Sequence, residues 1–409
     1  MKRNFTFLFL FLACISNAQS QWPSTAWTGG DNLTSVMSAT GVNDLSGLHW
    51  NPLTNRLYCV QGDGRLRILQ MDSSAMGFTQ IANKTLSDGP EGITQVNLSA
   101  NEFYTIDENT YEIRKFTHNG AFGSLAESKH WSLLVSPSPM QDTGNTGPEG
   151  IVFIPDASLS AAGFISQQTG AAYTSLKGMG GLMFIAHQDE GYIWVFDVNP
   201  NTNNDFLYVG KYKTNRLESS DLAFDQSTGL LYILHNIDAN YIETTNLASV
   251  VTSGSERKFV TSHEYFLPNP ADGNINIEGF ALMPKCPSGG ITGAWLARDV
   301  ETSEDDSVLQ DCLRWFSPFT ADGSCALSVH EADENQTQVF PNPGNSQITI
   351  SSPKNIDSIS IVNSLGQTVS RQNGFSQTLS LDTSALASGL YLLEIRTGQN
   401  VSFTKWLKI

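Results

Sequence analysis

Short apolar runs separated by polar or glycine-bearing turns recur along the whole chain, and helical periodicity is nearly absent, so the pattern predicts an all-β protein. Five of these runs open alike, with a polar residue and, in four of them, a glycine behind it. They are Ser46-Gly47-Leu48-His49-Trp50, Glu91-Gly92-Ile93, Glu149-Gly150-Ile151-Val152-Phe153, Ser220-Asp221-Leu222-Ala223-Phe224 and Glu278-Gly279-Phe280-Ala281-Leu282. Each is followed by a more apolar second strand, at 56–60, 102–106, 182–186, 230–234 and 294–297. Turn signals such as Asn51-Pro52-Leu53-Thr54-Asn55 and Gln226-Ser227-Thr228-Gly229 precede most of these second strands. Third strands are predicted at 66–69, 111–116 and 192–195. A repeat of about 45 to 70 residues is that of β-propeller blades. Five repeats are visible, while the chain between 19 and 330 has room for about six blades of typical length. Residues 19–42 are placed to complete the last blade and close the ring.

Aligning the repeats gives the candidate chemistry. The first strands begin at Ser46, Glu91, Glu149, Ser220 and Glu278, and the second strands end at Gln61, Asp107, His187, His235 and Arg298. In a propeller both rows open on one face, so they ring one mouth of the central channel, flanked by Asp63, Glu108, Asp189, Glu190, Asn236, Asp238 and Asp299. Carboxylates converging on a narrow channel raise one another's pKa unless a cation neutralises them. Glu91, Glu149, Glu278 and Asp107 are therefore the expected ligands of a divalent cation, with calcium favoured over zinc by an all-oxygen set. His187 and His235 are the candidate catalytic acid and base. The same glutamates could instead cap backbone or pair with Arg298, and the two histidines could be structural. His49 and Trp50, within an inner strand, read as core.

Charge and cysteines narrow the class. The formal net charge is −17, and it becomes two units more negative if Lys2 and Arg3 leave with a signal peptide. Such a surface disfavours nucleic acid and anionic lipid as partners and favours cations. Cys59, Cys286, Cys312 and Cys325 remain after the leader, and in an oxidising compartment one bridge is expected among the last three. No G-x-S-x-G elbow and no glycine-rich phosphate cradle is present.

The two ends concern transport. Lys2 and Arg3, the apolar run 5–15 and Ser16-Asn17-Ala18 read as a signal peptide over 1–18. No other apolar run approaches the length of a membrane span. At the far end, Val339-Phe340-Pro341-Asn342-Pro343 opens a series of short strands at 348–350, 356–362, 378–381, 390–395 and 401–407, which predicts a small β-sandwich. The succession VFPNP, SISIVNSLGQTV, LDTSALASGLYLLEI and FTKWLKI resembles the type A C-terminal sorting domain of type IX secretion cargo. That resemblance implies engagement of the type IX machinery and passage through the periplasm to the medium or the outer cell surface. The organisation expected is a signal peptide over 1–18, a propeller over 19–330, a linker over 331–338 and the sorting domain over 339–409.

The Leu-Ser-Gly-Leu, Pro-Glu-Gly-Ile and Ile-Glu-Gly-Phe strand starts are similar to those of the SdiA-regulated and esterase-like phytase groups. The likeness implies a divalent-metal propeller, in some relatives with phosphoester or ester hydrolysis. The Asp-Asp-Pro-Ala motif of classical propeller phytases is missing. Two readings follow: a metal-dependent hydrolase using His187 or His235, or a non-catalytic binding or adhesion propeller with a structural metal. The ligand in the second case is a small molecule, peptide or glycan.

Overall fold

The computed structural model describes residues 27–37, 42, 44–72, 77–86, 89–236, 239–267, 277–286, 292–300, 311–324, 338–363, 367–398 and 400–409. The expected signal peptide, Asp238, Cys325 and all but the last residue of the 331–338 linker lie outside them. The chain divides into two compact units, Met1–Ser328 and Val329–Ile409.

The first unit is a five-bladed propeller, so each sequence repeat is one blade and the sixth allowed by length is not found among the described residues. Blade 1 is built from Leu45–Asn51, Arg56–Gln61, Arg65–Met71 and Phe78–Thr85, in antiparallel succession. Blade 2 is Pro90–Thr94, Glu102–Asp107, Glu112–His118 and Leu125–Ser132. Blade 3 is Pro148–Pro155, Gly181–His187, Tyr192–Val198 and Phe206–Lys213, and blade 4 is Asp221–Asp225, Leu230–His235, Tyr241–Ser253 and Glu256–Phe266. The outer strands of blades 3 and 4 touch in parallel at Tyr212–Arg257 and Lys213–Lys258, fusing them into one eight-stranded sheet. Blade 5 takes three strands from late in the chain, Ile277–Leu282, Ala294–Arg298 and Leu313–Phe316. Its outermost strand, Asp31–Asn32, comes from the N-terminal side. That pairing closes the ring as the sequence suggested. Length overestimated the count because blade 3 carries an insertion between its first two strands, including the helix Asp156–Ala162. The insertion is pinned rather than free: Asp197 accepts hydrogen bonds from Leu176 N, Lys177 N and Tyr173 Oη.

The inner strands neighbour one another in cyclic order around the axis, and glycine makes that approach possible. A methyl group on Gly279 would lie 2.1 Å from the Ser46 carbonyl oxygen, and one on Gly150 would lie 2.6 Å from Asp221 Cα. Gly47 and Gly92 face the next strand in the same way. Blade 4 has Asp221 at this position, and its buried side chain takes over the bridging. Oδ2 accepts from Phe280 N at 2.8 Å and Leu48 N at 3.4 Å, tying blade 4 to blades 5 and 1.

Hydrophobic side chains fill the spaces between blades; Trp50, Trp295 and Trp315, for example, stack in succession where blade 1 meets blade 5. Cys59 and Cys312 are buried free thiols, which removes Cys312 from the expected bridge.

The second unit is β-sandwich-like. Strands Gln338–Phe340, Gln347–Val362, Thr368–Asp382, Gly389–Thr397 and Asn400–Lys408 form one hydrogen-bonded sheet. The stretches 348–350 and 356–362 are parts of one strand, whose register against 368–382 shifts between Ser351 and Ile356. Isoleucines alternating along it, with Leu393, Ile395 and Trp406 opposite, make the core.

Gly279→Ala should destabilise the propeller by roughly 1–3 kcal/mol or more, through overpacking against backbone that cannot rotate away. Gly77→Ala, with nothing within 4 Å, should stay within about 0.5 kcal/mol. Urea unfolding of both variants checks the pair; equal stabilities would remove the close-approach argument.

Candidate functional site: an acidic channel mouth

The strand ladder puts the two aligned rows on one face. Leu45 pairs with Gln61, Pro90 with Asp107, Pro148 with His187, Asp221 with Leu234 and Ile277 with Arg298. In the four glycine-bearing blades the register slips at this point, between Leu45 and Leu48, Pro90 and Gly92, Pro148 and Ile151, and Ile277 and Gly279. A bulge of this kind re-aims the side chain it carries. Three of the four bulges carry glutamates, and those glutamates act on one another.

Burial raises the pKa of Glu91 to about 8, with the charges of Asp44, Glu108 and Asp299 adding to it and the Ser46 hydroxyl opposing. Glu149 is raised well above the carboxylate range by burial, then by Glu91, Glu278, Glu108 and Glu218. Glu278 is raised in the same way by burial, then by Asp299, Glu91, Asp44 and Glu108. Glu108 accepts a hydrogen bond from Gly147 N at 3.2 Å, and its pKa is raised by burial and by the charges of Asp107 and Asp44, against Gly147 N and Glu149. The mouth is thus a set of carboxyls held partly protonated at neutral pH, because too many lie together with too little water.

Asp107 Oδ1 accepts from Thr110 N at 2.9 Å, closing the turn of its own hairpin, and its charge acts on Glu108. Asp44 and Asp299 act directly on the glutamates. Asp44 immediately precedes the inner strand of blade 1, where its carbonyl accepts from Gly62 N and its amide donates to Val300 O. Gly62 leaves the room: a methyl there would stand 2.5 Å from Asp44 Oδ2 and 3.0 Å from Glu91 Oε1. Asp44 and Glu218 were not legible because each lies outside the repeated motif. Among the described residues, no group of three or more His, Cys, Asp or Glu side chains is drawn together as a metal cage.

The two histidines lie on this face but differ. His235 is fully buried, with Nδ1 2.5 Å from Glu218 O and Nε2 3.1 Å from Glu243 Oε2. Glu243 is itself held by Asn215 N and Thr261 Oγ1. Both ring nitrogens of His235 therefore face acceptors inside the fold. His187 accepts from Asp189 N at 3.1 Å through Nδ1, which fixes the proton on Nε2, an atom with no partner among the described residues. Burial lowers its pKa to about 4, against the charge and amide of Asp189. It is a neutral donor beside Tyr111 and Trp194. Arg298 is buried with its guanidinium carbon 5.6 Å from the Trp27 ring centre.

Comparison with known proteins bears chiefly on the tail. Residues 338–409 match the family of the secretion system C-terminal sorting domain. The tail is therefore a type IX sorting domain that engages the secretion machinery, and the protein is secreted or carried to the outer cell surface. No helix among the described residues is long and apolar enough to cross a membrane. No curated protein matches the chain. Among solved structures, one similar chain is PorZ, an essential surface component of the type-IX secretion system of Porphyromonas gingivalis. It is 12% identical over 90% of this chain and 60% of its own, with a TM-score of 0.31. This chain thus spans about three fifths of PorZ. A protein from Lactobacillus plantarum is 11% identical over 83% of this chain and 88% of its own, with a TM-score of 0.33. At scores this low neither likeness informs function.

The raised carboxyls set a sign for pH dependence. Between about pH 4, where unstrained carboxyls ionise, and the folded value of about 8 for Glu91, the native state holds protons that the unfolded chain has released. Above about pH 6.5, where His49 and His187, lowered by burial to about 4, are neutral in both folded and unfolded chains, stability must then fall as pH rises. Thermal melts in chelator should give a lower Tm at pH 8 than at pH 7, and Glu149→Gln should flatten the slope. A Tm that is constant or rises across this range would contradict the assignment.

Proposed function

We propose that the protein is a non-catalytic binding propeller, exported by its sorting tail, whose acidic mouth takes a divalent cation and through it a ligand at the cell surface. The observation that carries this is the gathering of Glu91, Glu149 and Glu278 on one face at three inner-strand bulges, where burial and neighbouring carboxylates, among them Asp44, Glu108 and Asp299, raise their pKa values. Like-charged groups crowded in this way are relieved most directly by a cation, and calcium suits an oxygen-only set whose side chains must still draw inward to six or more ligands. Asp44 and Asp299 are added to Asp107 in the proposed set. Hydrolysis has less support, because a general base needs a bare nitrogen. His235 has both nitrogens against acceptors, and His187 presents a proton.

Calcium at a hundredfold excess over its Kd should stabilise the chain by about 2.7 kcal/mol, raising Tm at pH 7 relative to chelator. The triple change Glu91→Gln, Glu149→Gln and Glu278→Gln should remove the shift and keep the fold. Identical melts of the parent chain in calcium and in chelator would eliminate the cation site.

The expected disulfide is proposed to join Cys286 to Cys325, since Cys59 and Cys312 are free. Mass mapping of the non-reduced protein tests it. A peptide pair linking 286 to 325 is expected, and free thiol at either position would refute it.

A further inference from the structure

The far ends of the inner strands, away from the glutamates, enclose a second cavity on the same axis. All five blades contribute walls, among them Leu48, Trp50, Thr94, Phe153, Phe224 and Leu282. Its cavity volume is about 110 Å³, below the ~300–1,000 Å³ of drug-sized sites and of the order of the ~150 Å³ apolar cavity that holds benzene. Its aromatic wall is set in place, since Trp50 stacks on Trp295 with ring centres 4.6 Å apart. The Asp221 carboxylate, bound to Leu48 N and Phe280 N, crosses between the inner strands on the glutamate side of this chamber.

Most polar groups on the wall are already engaged, although the buried His49 Nε2 makes no hydrogen bond among the described residues. Thr94 Oγ1 accepts from Phe153 N at 3.2 Å. Gln95 accepts from Asn51 Nδ2 at 2.7 Å and donates to Glu102 O at 2.9 Å. Asp225 accepts from Ser227 N, Ser227 Oγ and Lys285 N. Packing lowers the His49 pKa to about 4, so that ring is uncharged at neutral pH. A guest here meets ring faces and aliphatic carbon beside the polar atoms of His49 and Asp225, and an anionic guest would lose its hydration next to the Asp225 carboxylate without a counter-charge in return.

We propose that this end of the channel is a binding site for a small, uncharged aromatic ligand, separate from the acidic mouth and independent of any cation bound there.

Fluorine NMR on the full chain tests the proposal with 4-fluorotoluene and 4-fluorobenzoate in the presence of chelator. The neutral probe should bind, and 4-fluorobenzoate should bind at least about tenfold more weakly. Ala223→Leu, which grows a half-buried wall residue into the space, should weaken the neutral probe by about tenfold or more. Gln226→Trp, at the exposed rim, leaves the core untouched and should weaken it in the same direction should the first variant fold poorly. No binding of 4-fluorotoluene at millimolar concentration would overturn the proposal. So would binding that a folded Ala223→Leu and Gln226→Trp both leave unchanged, or equal affinity for 4-fluorobenzoate.

Discussion

Everything in the propeller depends on how closely five inner strands approach a common axis. Five blades make a narrow ring, and the backbone of one strand comes so near the next that a methyl group on Gly279 would sit 2.1 Å from a carbonyl oxygen. Glycine meets that demand in four blades. In the fourth, the Asp221 side chain reaches across to the amides of Leu48 and Phe280. Burial raises its pKa to about 8 although three backbone amides act to lower it. Hydrogen bonding and desolvation therefore oppose each other at the centre of the ring, and desolvation is the larger effect.

The same narrowness produces the acidic mouth. Residues preceding the glycines are aimed inward by bulges, and where those residues are glutamates the small circumference brings their charges together. In a wider ring the same three side chains would be further apart, better hydrated and less perturbed. The perturbation is thus a property of the ring's size as much as of the residues. At the opposite end the inner strands carry Trp50, Phe153 and Phe224, so one channel has a charged end and an apolar end.

Much of this was legible in the sequence. Polar starts, followed in four blades by the glycine that permits close approach, located all five inner strands, and the tail's motif series located the sorting domain. The row of second-strand ends fell on the expected face. Side-chain destinations were harder to read. Asp107 is in register with the site, yet it bonds to Thr110 in its own turn. Asp44 stands outside the repeat and reaches the glutamates only because the ring closes between blades 5 and 1. His187 and His235 occupy equivalent positions, but Glu243, eight residues beyond His235 on the neighbouring strand, gives His235 an internal partner that no periodicity announces.

The central claim is that the carboxyls of the mouth hold protons until a cation displaces them. The direct measurement is proton release when calcium is added to the protein at pH 7 in weak buffer, followed by pH-stat. Cation binding should expel about one proton or more per chain, with the amount falling as the starting pH is raised toward 9, because metal binding to carboxyls requires their ionised form. Calcium binding with no proton uptake or release between pH 6 and 9 would contradict the account, and so would the absence of both binding and release.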